Sequence, residues 1–215
     1  MFPTPTKLRA RAPGALLRRL IGRPAGSPAT VERELTVMFT DIAGFTGLAE
    51  TLPPHAITRF LSAHFGSLAG CIEREHGTVG KLLGDGLLAF WDGGSAAAAP
   101  ALRSAVAIRA AIQADNRLRA ATGLRPVRLR VGLHAGPSAM ARLRSERRPT
   151  PLGDTVNVAQ RLEDAARHHG AKGQDVTIVA SDAVVARAGA GFRFEPLGAL
   201  PVRGRREPVR AFRLA

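Results

Sequence analysis

The chain has 215 residues, 45% of them hydrophobic and 22% charged, which suits one domain with a tail and leaves enough material for a real core. The single cysteine, Cys71, excludes a disulfide framework and a cysteine metal cluster, and no run approaches the ~18 apolar residues of a membrane span. The net charge of +14, with a pI near 11.7, favours anionic partners. The arginines carrying it are scattered, without aromatic interleaving or a zinc-finger or RNP-like pattern, which argues against nucleic acid.

Residues 1–30 contain no acidic residue and several prolines, including the segment LRARAPGALLRRLIGRP. They read as a basic leader, disordered, with one short amphipathic stretch at residues 16–21 suited to weak contact with an anionic membrane surface. The leader lacks the apolar region of a secretory signal, so the expected location is cytoplasmic, with peripheral membrane contact as the variant. Residues 31–215 read as one domain.

A strand is expected from Glu34 to Thr40, half-buried because Leu35, Val37 and Phe39 alternate with Thr36, Met38 and Thr40. Pro53-Pro54 opens a helix whose Ile57, Leu61, His64, Leu68, Cys71 and Ile72 share one face; Gly77 ends it. TVGKLLGDGLLAFW gives two strands hinged at Gly84-Asp85-Gly86. An alanine-rich helix follows over about residues 95–122, then a strand with Val127, Leu129, Val131 and Leu133 facing one way. GDTVNVAQRLEDAARHHG is a helix closed by Gly170; DVTIVA is a strand, SDAVVARAG a short helix, and GFRFEPL and PVRAFRL are closing strands. This order predicts an α+β fold: a ferredoxin-like β-α-β-β-α-β core sheet with helices on one face, plus C-terminal strands.

Three stretches carry chemistry. Asp41 ends its strand just before a turn through Gly44. A carboxylate losing hydration there needs a helix start, a cation or a basic partner. It suits capping of the next helix as well as metal binding. Asp85 sits in the hairpin turn, where aspartate is common, but if the first strand lies beside the hairpin, both carboxylates converge at one edge. Two such oxygen donors suit Mg²⁺ held together with substrate phosphates. The turn from Ile42 through Ala43 and Gly44 to Phe45 offers backbone N–H groups to phosphate. Asn157 and Arg161, four apart on a helix, project from one face, away from the core side supplied by Val156, Val158 and Leu162.

The segments ELTVMFTDIAGFT, GTVGKLLGDGLLAF, VGLHAG, GDTVNVAQRLE and PVRGRREPVRAF together resemble, in order and nearly in spacing, the catalytic domain of class III nucleotide cyclases, over residues 32–214. The resemblance implies a metal set of Asp41, Ile42 and Asp85, binding two Mg²⁺ per site with Mn²⁺ able to substitute. Lys81 stands where adenylate cyclases carry the lysine that reads adenine, and lysine is rare here: the others are Lys7 and Lys172. Thr150 stands at the partner base-reading position, as in a subset of adenylate cyclases. Asn157 would orient the ribose, Arg161 would stabilise the transition state, and Arg203 would hold terminal phosphates where the family has lysine. The implied reaction turns ATP into 3′,5′-cyclic AMP and pyrophosphate, by in-line attack of the ribose 3′-hydroxyl on the α-phosphorus with two metals bound. Because the family pairs the aspartates of one chain with the Asn/Arg pair of another, a homodimer with shared sites is implied. The alternatives are a guanylate or relaxed-specificity cyclase, against which Lys81 argues, and a catalytically weak nucleotide-binding dimerisation module.

The segment between Gly136 and Gly153 departs from the family pattern. Ala141 and Arg144 replace usual glycines, the stretch is about two residues short, and Pro149 and Pro151 flank Thr150. Weak dimerisation, or low activity awaiting an activator, is the expectation this raises. His134 reads as a packed or hydrogen-bonded histidine, His168 and His169 as complements to a helix C-terminus, and Cys71 as core.

Overall fold

The computed structural model describes residues 30–142, 149–171, 173–202, 205 and 207–215. The first half runs β1 (Thr30–Ile42), α1 (Phe45–Ala49), α2 (Pro54–Arg74), β2 (Thr78–Leu83), β3 (Gly86–Asp92) and, after a 3-10 turn at Gly94–Ala97, α3 (Ala98–Ala121). The second half runs β4 (Leu129–Ala141), β5 (Thr150–Leu152), α4 (Asp154–His169), β6 (Val176–Ser181), α5 (Asp182–Val185), β7 (Phe194–Leu200) and β8 (Val209–Leu214). The strands form one sheet in the order β2-β3-β1-β4-β6-β8-β7, with β5 paired to β4. Among the described residues only β4 and β6 pair in parallel; the other pairings are antiparallel.

The ferredoxin-like core is β1-α2-β2-β3-α3-β4, and the C-terminal strands extend its sheet, as expected. Its helices α2 and α3 cover one face. Leu68, Ile72, Leu102, Ile108 and Ile112 pack there against Met38, Leu87, Trp91, Leu129, Val131 and Leu133. The helix α4, outside that core, lies on the opposite face. Ala159 joins Leu35, Val37, Phe39, Leu88 and Phe90, while Val158, Leu162 and Ala166 join Val179, Val209 and Ala211.

The two-sided cover corrects the half-buried reading of β1: all six of residues 35–40 are buried. Alternation on its own marks one apolar face and is silent about a second helical layer. The strand is also longer than expected, because it pairs with β4 at every position from Thr30 opposite Ala141 to Ile42 opposite Leu129. Its first four residues are exposed, so they carry no hydrophobic period to read. Among the described residues, no helix is long and apolar enough to cross a membrane.

Candidate functional site

Asp41 is the penultimate residue of β1 and faces Arg130 across the β1–β4 register. Asp85 lies in the turn between β2 and β3. Because β3 pairs with β1, with Thr40 opposite Leu87, that turn hangs beside the end of β1. Gly86 shows how closely: a Cβ there would lie 2.8 Å from the Thr40 carbonyl oxygen and 3.8 Å from Asp41 Oδ1. A side chain at this position would push the hairpin away from the acidic edge. The two carboxylates thus come together, as the topology leads one to expect. Burial, and next the charge of Asp41, push the Asp85 carboxyl above its ordinary value. The N–H groups of Asp85 and Ile42 donate to it and pull the other way.

Asp41 does not cap a helix. Gly44, at φ 74°, occupies the N-cap position of α1, and no side chain caps it. The Asp41 carboxylate instead accepts a hydrogen bond from the Arg130 guanidinium. The turn at residues 42–45 also offers less to a phosphate than its sequence suggests. The Ile42 N–H serves Asp85, and the Ala43 N–H donates to the Arg128 carbonyl at 2.8 Å. Gly44 and Phe45 carry the other two N–H groups of the turn.

Two residues at this edge escaped the sequence reading. Arg130 links Asp41 of β1 to Glu163 of α4: one guanidinium nitrogen pairs with Asp41 Oδ2, and its Nε lies 2.9 Å from Glu163 Oε1. Glu163 is buried, 6% exposed. It is held there by backbone docking, since a Cβ on Gly132 of β4 would lie 2.2 Å from the Glu163 nitrogen and 2.3 Å from the Ala159 carbonyl oxygen. Burial, then Asp41, raise the Glu163 carboxyl to about 7 in spite of Arg130. Burial opposes the Arg130 charge, but Asp41 and Glu163 outweigh it and raise its pKa. A signal for Glu163 existed in the sequence. It is four residues after Ala159 and three before Ala166, on the buried stripe of α4, and a charge on such a stripe calls for a partner.

The other site candidates stand apart from this edge. Asn157 and Arg161 are exposed on α4, and Arg161 Nη1 donates to Asp164 Oδ2 at 3.0 Å. Their neighbours Val158 and Leu162 are buried, so the expected division of the helix holds. Lys81 is exposed on β2, next to a register irregularity between Val79 and Lys81. Thr150 is buried and opens β5 opposite Ala141, with Pro151 opposite Met140. Cα atoms of β2 and β5 approach within 8 Å, so the strands bearing Lys81 and Thr150 are neighbours. Arg203 and Arg144 lie outside the described residues. Among the described residues, no hydrogen bond or ion pair joins Asn157 or Arg161 to Asp41 or Asp85.

The histidines and the cysteine behave as the sequence suggests. His134 is buried with Nδ1 2.7 Å from Ser181 Oγ, and burial lowers its pKa to about 4. His168 and His169 lie in the last turn of α4. Cys71 is in the core, its thiol pushed up by burial.

Against this geometry, the comparisons with known proteins are consistent. The adenylate and guanylate cyclase catalytic domain family matches residues 28–215. Adenylate cyclase 1 of Rhizobium meliloti is 34% identical over 185 residues, covering 84% of this chain and 27% of that protein. The adenylate cyclase of Anabaena cylindrica is 31% identical over 144 residues, covering 64% and 28%. The chain therefore spans little more than a quarter of the length of these relatives. Among solved structures, the adenylyl cyclase CyaB from P. aeruginosa superposes with a TM-score of 0.78 at 26% identity, covering 87% of this chain and 96% of that one.

Proposed function

The chain belongs to the adenylate and guanylate cyclase catalytic domain family, and on that premise we propose that it converts ATP to 3′,5′-cyclic AMP and pyrophosphate. The observation that carries this reading is the meeting of Asp41 and Asp85 at one sheet edge. Residues 31–215 form the catalytic domain and residues 1–30 a basic leader, working in the cytoplasm or against an anionic membrane face.

The acidic edge fits a hard divalent cation. Its donors are carboxylate oxygens, and the upward shift of Asp85, caused first by burial and next by the charge of Asp41, is one that a cation would relieve. No cluster of three or more metal-ligating side chains occurs among the described residues. The protein thus supplies Asp41, Asp85 and the Ile42 main chain, and leaves room for water and phosphate oxygens, which suits Mg²⁺ or Mn²⁺. Ions bound there would activate the ribose 3′-hydroxyl and offset the charge of the triphosphate.

The remaining work falls to the chain's own side chains. Lys81 and Thr150, on neighbouring strands, read the adenine edge by donating and accepting hydrogen bonds. Asn157 orients the ribose. Arg161 leaves Asp164 for the reacting phosphate and neutralises charge there; its exposed pair with Asp164 is weak, so the exchange is cheap. Arg203 holds the terminal phosphates. No described hydrogen bond or ion pair joins Asn157 or Arg161 to the two aspartates, and in this reading a second copy brings the two sets together. Leu82, Leu83 and Leu152, exposed on β2 and β5, are apolar surface for that copy to cover. The reading is therefore a homodimer with two shared sites.

The test is product formation from ATP and from GTP, with Mg²⁺ and with Mn²⁺, over a range of protein concentrations, beside an Asp85→Ala control. Cyclic AMP that rises faster than linearly with protein and disappears in the control is the expected result. Cyclic GMP as the main product would move the assignment to a guanylate cyclase. Nucleotide binding without any cyclic product would leave a dimerisation module.

A further inference from the structure

Arg130, Glu163 and Asp41 come from three elements, yet they form one chain of charges. The β1–β4 register fixes Arg130 opposite Asp41. Contact of α4 with Gly132 fixes Glu163 above the same strand. The guanidinium lies between the two carboxylates, 2.9 Å from Glu163. All three side chains are largely shielded: 14% exposed for Arg130, 8% for Glu163 and 27% for Asp41. Their mutual attraction is correspondingly less screened than that of a surface pair. Glu163 does not touch Asp41 or Asp85 through any described hydrogen bond, and Val158, Ala159 and Leu162 around it have no use for a charge. Among the described residues its ionic partner is Arg130.

We propose that Arg130 is the resident counter-cation of the Asp41–Asp85 edge and that Glu163 is its counterweight, so that the pair sets how strongly the edge takes a divalent cation. The proposal rests on the reading of that edge as metal-binding. A cation arriving at Asp41 must draw the carboxylate away from Arg130. Glu163 holds the guanidinium from the other side and makes that release easier. Arg130 is thus a positioning residue: it holds Asp41 in place before the cation arrives and limits the affinity afterwards. Three carboxylates against one guanidinium leave the edge net negative; removing Arg130 makes it more so, and removing the Glu163 charge leaves Arg130 wholly to Asp41.

The two substitutions therefore act in opposite directions. Mn²⁺ binding is measured without nucleotide by water-proton relaxation, at about pH 8, for the full chain and for Arg130→Gln, Glu163→Gln, the double variant and Asp85→Asn. The expected result is binding about tenfold tighter in Arg130→Gln and about tenfold weaker in Glu163→Gln. Arg130→Gln leaves Glu163 buried without its partner and can lose its fold. The double variant avoids this, and it should bind Mn²⁺ about tenfold more tightly than Glu163→Gln alone. Equal affinities, or weakening in every variant alongside a lower Tm, would make the pair purely structural and overturn the proposal while leaving the metal reading intact. A wild-type chain that binds no Mn²⁺, or an Asp85→Asn variant that binds it equally well, would instead remove the metal reading, and the proposal with it.

Discussion

At the acidic edge, every functional group has a partner within its own chain. Asp41 has Arg130, Arg130 has Glu163, and Asp85 has the Ile42 N–H. On the outer face of α4 the situation is reversed. Asn157 and Arg161 are exposed, and among the described residues Arg161 pairs with an exposed aspartate one turn away. The edge ends a strand buried on both sides, whereas the outer face is open to solvent and is the part that the proposed second copy would complete. On the proposed reading, a single chain holds one half-site ready and presents the other to a partner. Embedded groups should respond to mutation through stability and charge balance as well as catalysis, and exposed ones through catalysis alone.

The largest effect should come from Gly132→Val. Its side chain would strike the α4 backbone at Glu163 and Ala159 and lift the helix from β4. A loss of about 4 kcal/mol is expected, seen as a Tm lowered by about 10 °C together with loss of activity. A fully stable Gly132→Val protein would mean that α4 is not docked on β4 as described. Next is Arg161→Ala, which should lower kcat by about 10²–10³-fold and leave Tm within about 1–2 °C, since the side chain is exposed. A large fall in Tm would erase the contrast between the two regions.

The smallest effect is on acid stability, and it belongs to the buried region. Burial lowers His64 and His134 to about 4, while an unfolded histidine titrates near 6.5. Below about pH 6.5 the unfolded chain therefore takes up protons that the folded chain refuses. The stabilisation is complete above about 6.5 and is lost as pH falls towards 4, by about 1–3 kcal/mol per histidine. Glu163, raised to about 7, has the opposite sign: its folded form gains relative stability as pH falls from about 7 towards its ordinary carboxyl range, and so offsets part of the loss. Urea unfolding of the metal-free protein from pH 7 to 4 measures the slope, and His134→Gln should flatten it. A His134→Gln profile parallel to the wild type would show that His134 makes no contribution.

What could be seen in the sequence follows the range of the signals. Asn157 and Arg161 are legible as one exposed helix face because a four-residue spacing on a helix is a local fact. Asp41 and Asp85 were brought together because a hairpin beside a first strand leaves few topologies. Arg130 was invisible because its partners lie 89 and 33 positions away on other elements. Within its own strand it is only the polar residue between Leu129 and Val131. The residue type of Asp41 allows a capping role, but its tertiary pairing with Arg130 takes precedence. The second helical layer was likewise hidden, since Leu35, Val37 and Phe39 announce an apolar face without saying that Thr36, Met38 and Thr40 are covered too.

The central claim, that one chain supplies the acidic edge and another the Asn157–Arg161 face, is tested most directly by combining two inactive variants. Asp85→Asn and Arg161→Ala, expressed separately, should each be inactive. Expressed together, they should form mixed dimers in which one of the two sites has both halves intact, restoring about a quarter of the wild-type activity by statistical pairing. A mixture that stays as inactive as its components, although both variants fold and dimerise, would contradict the account.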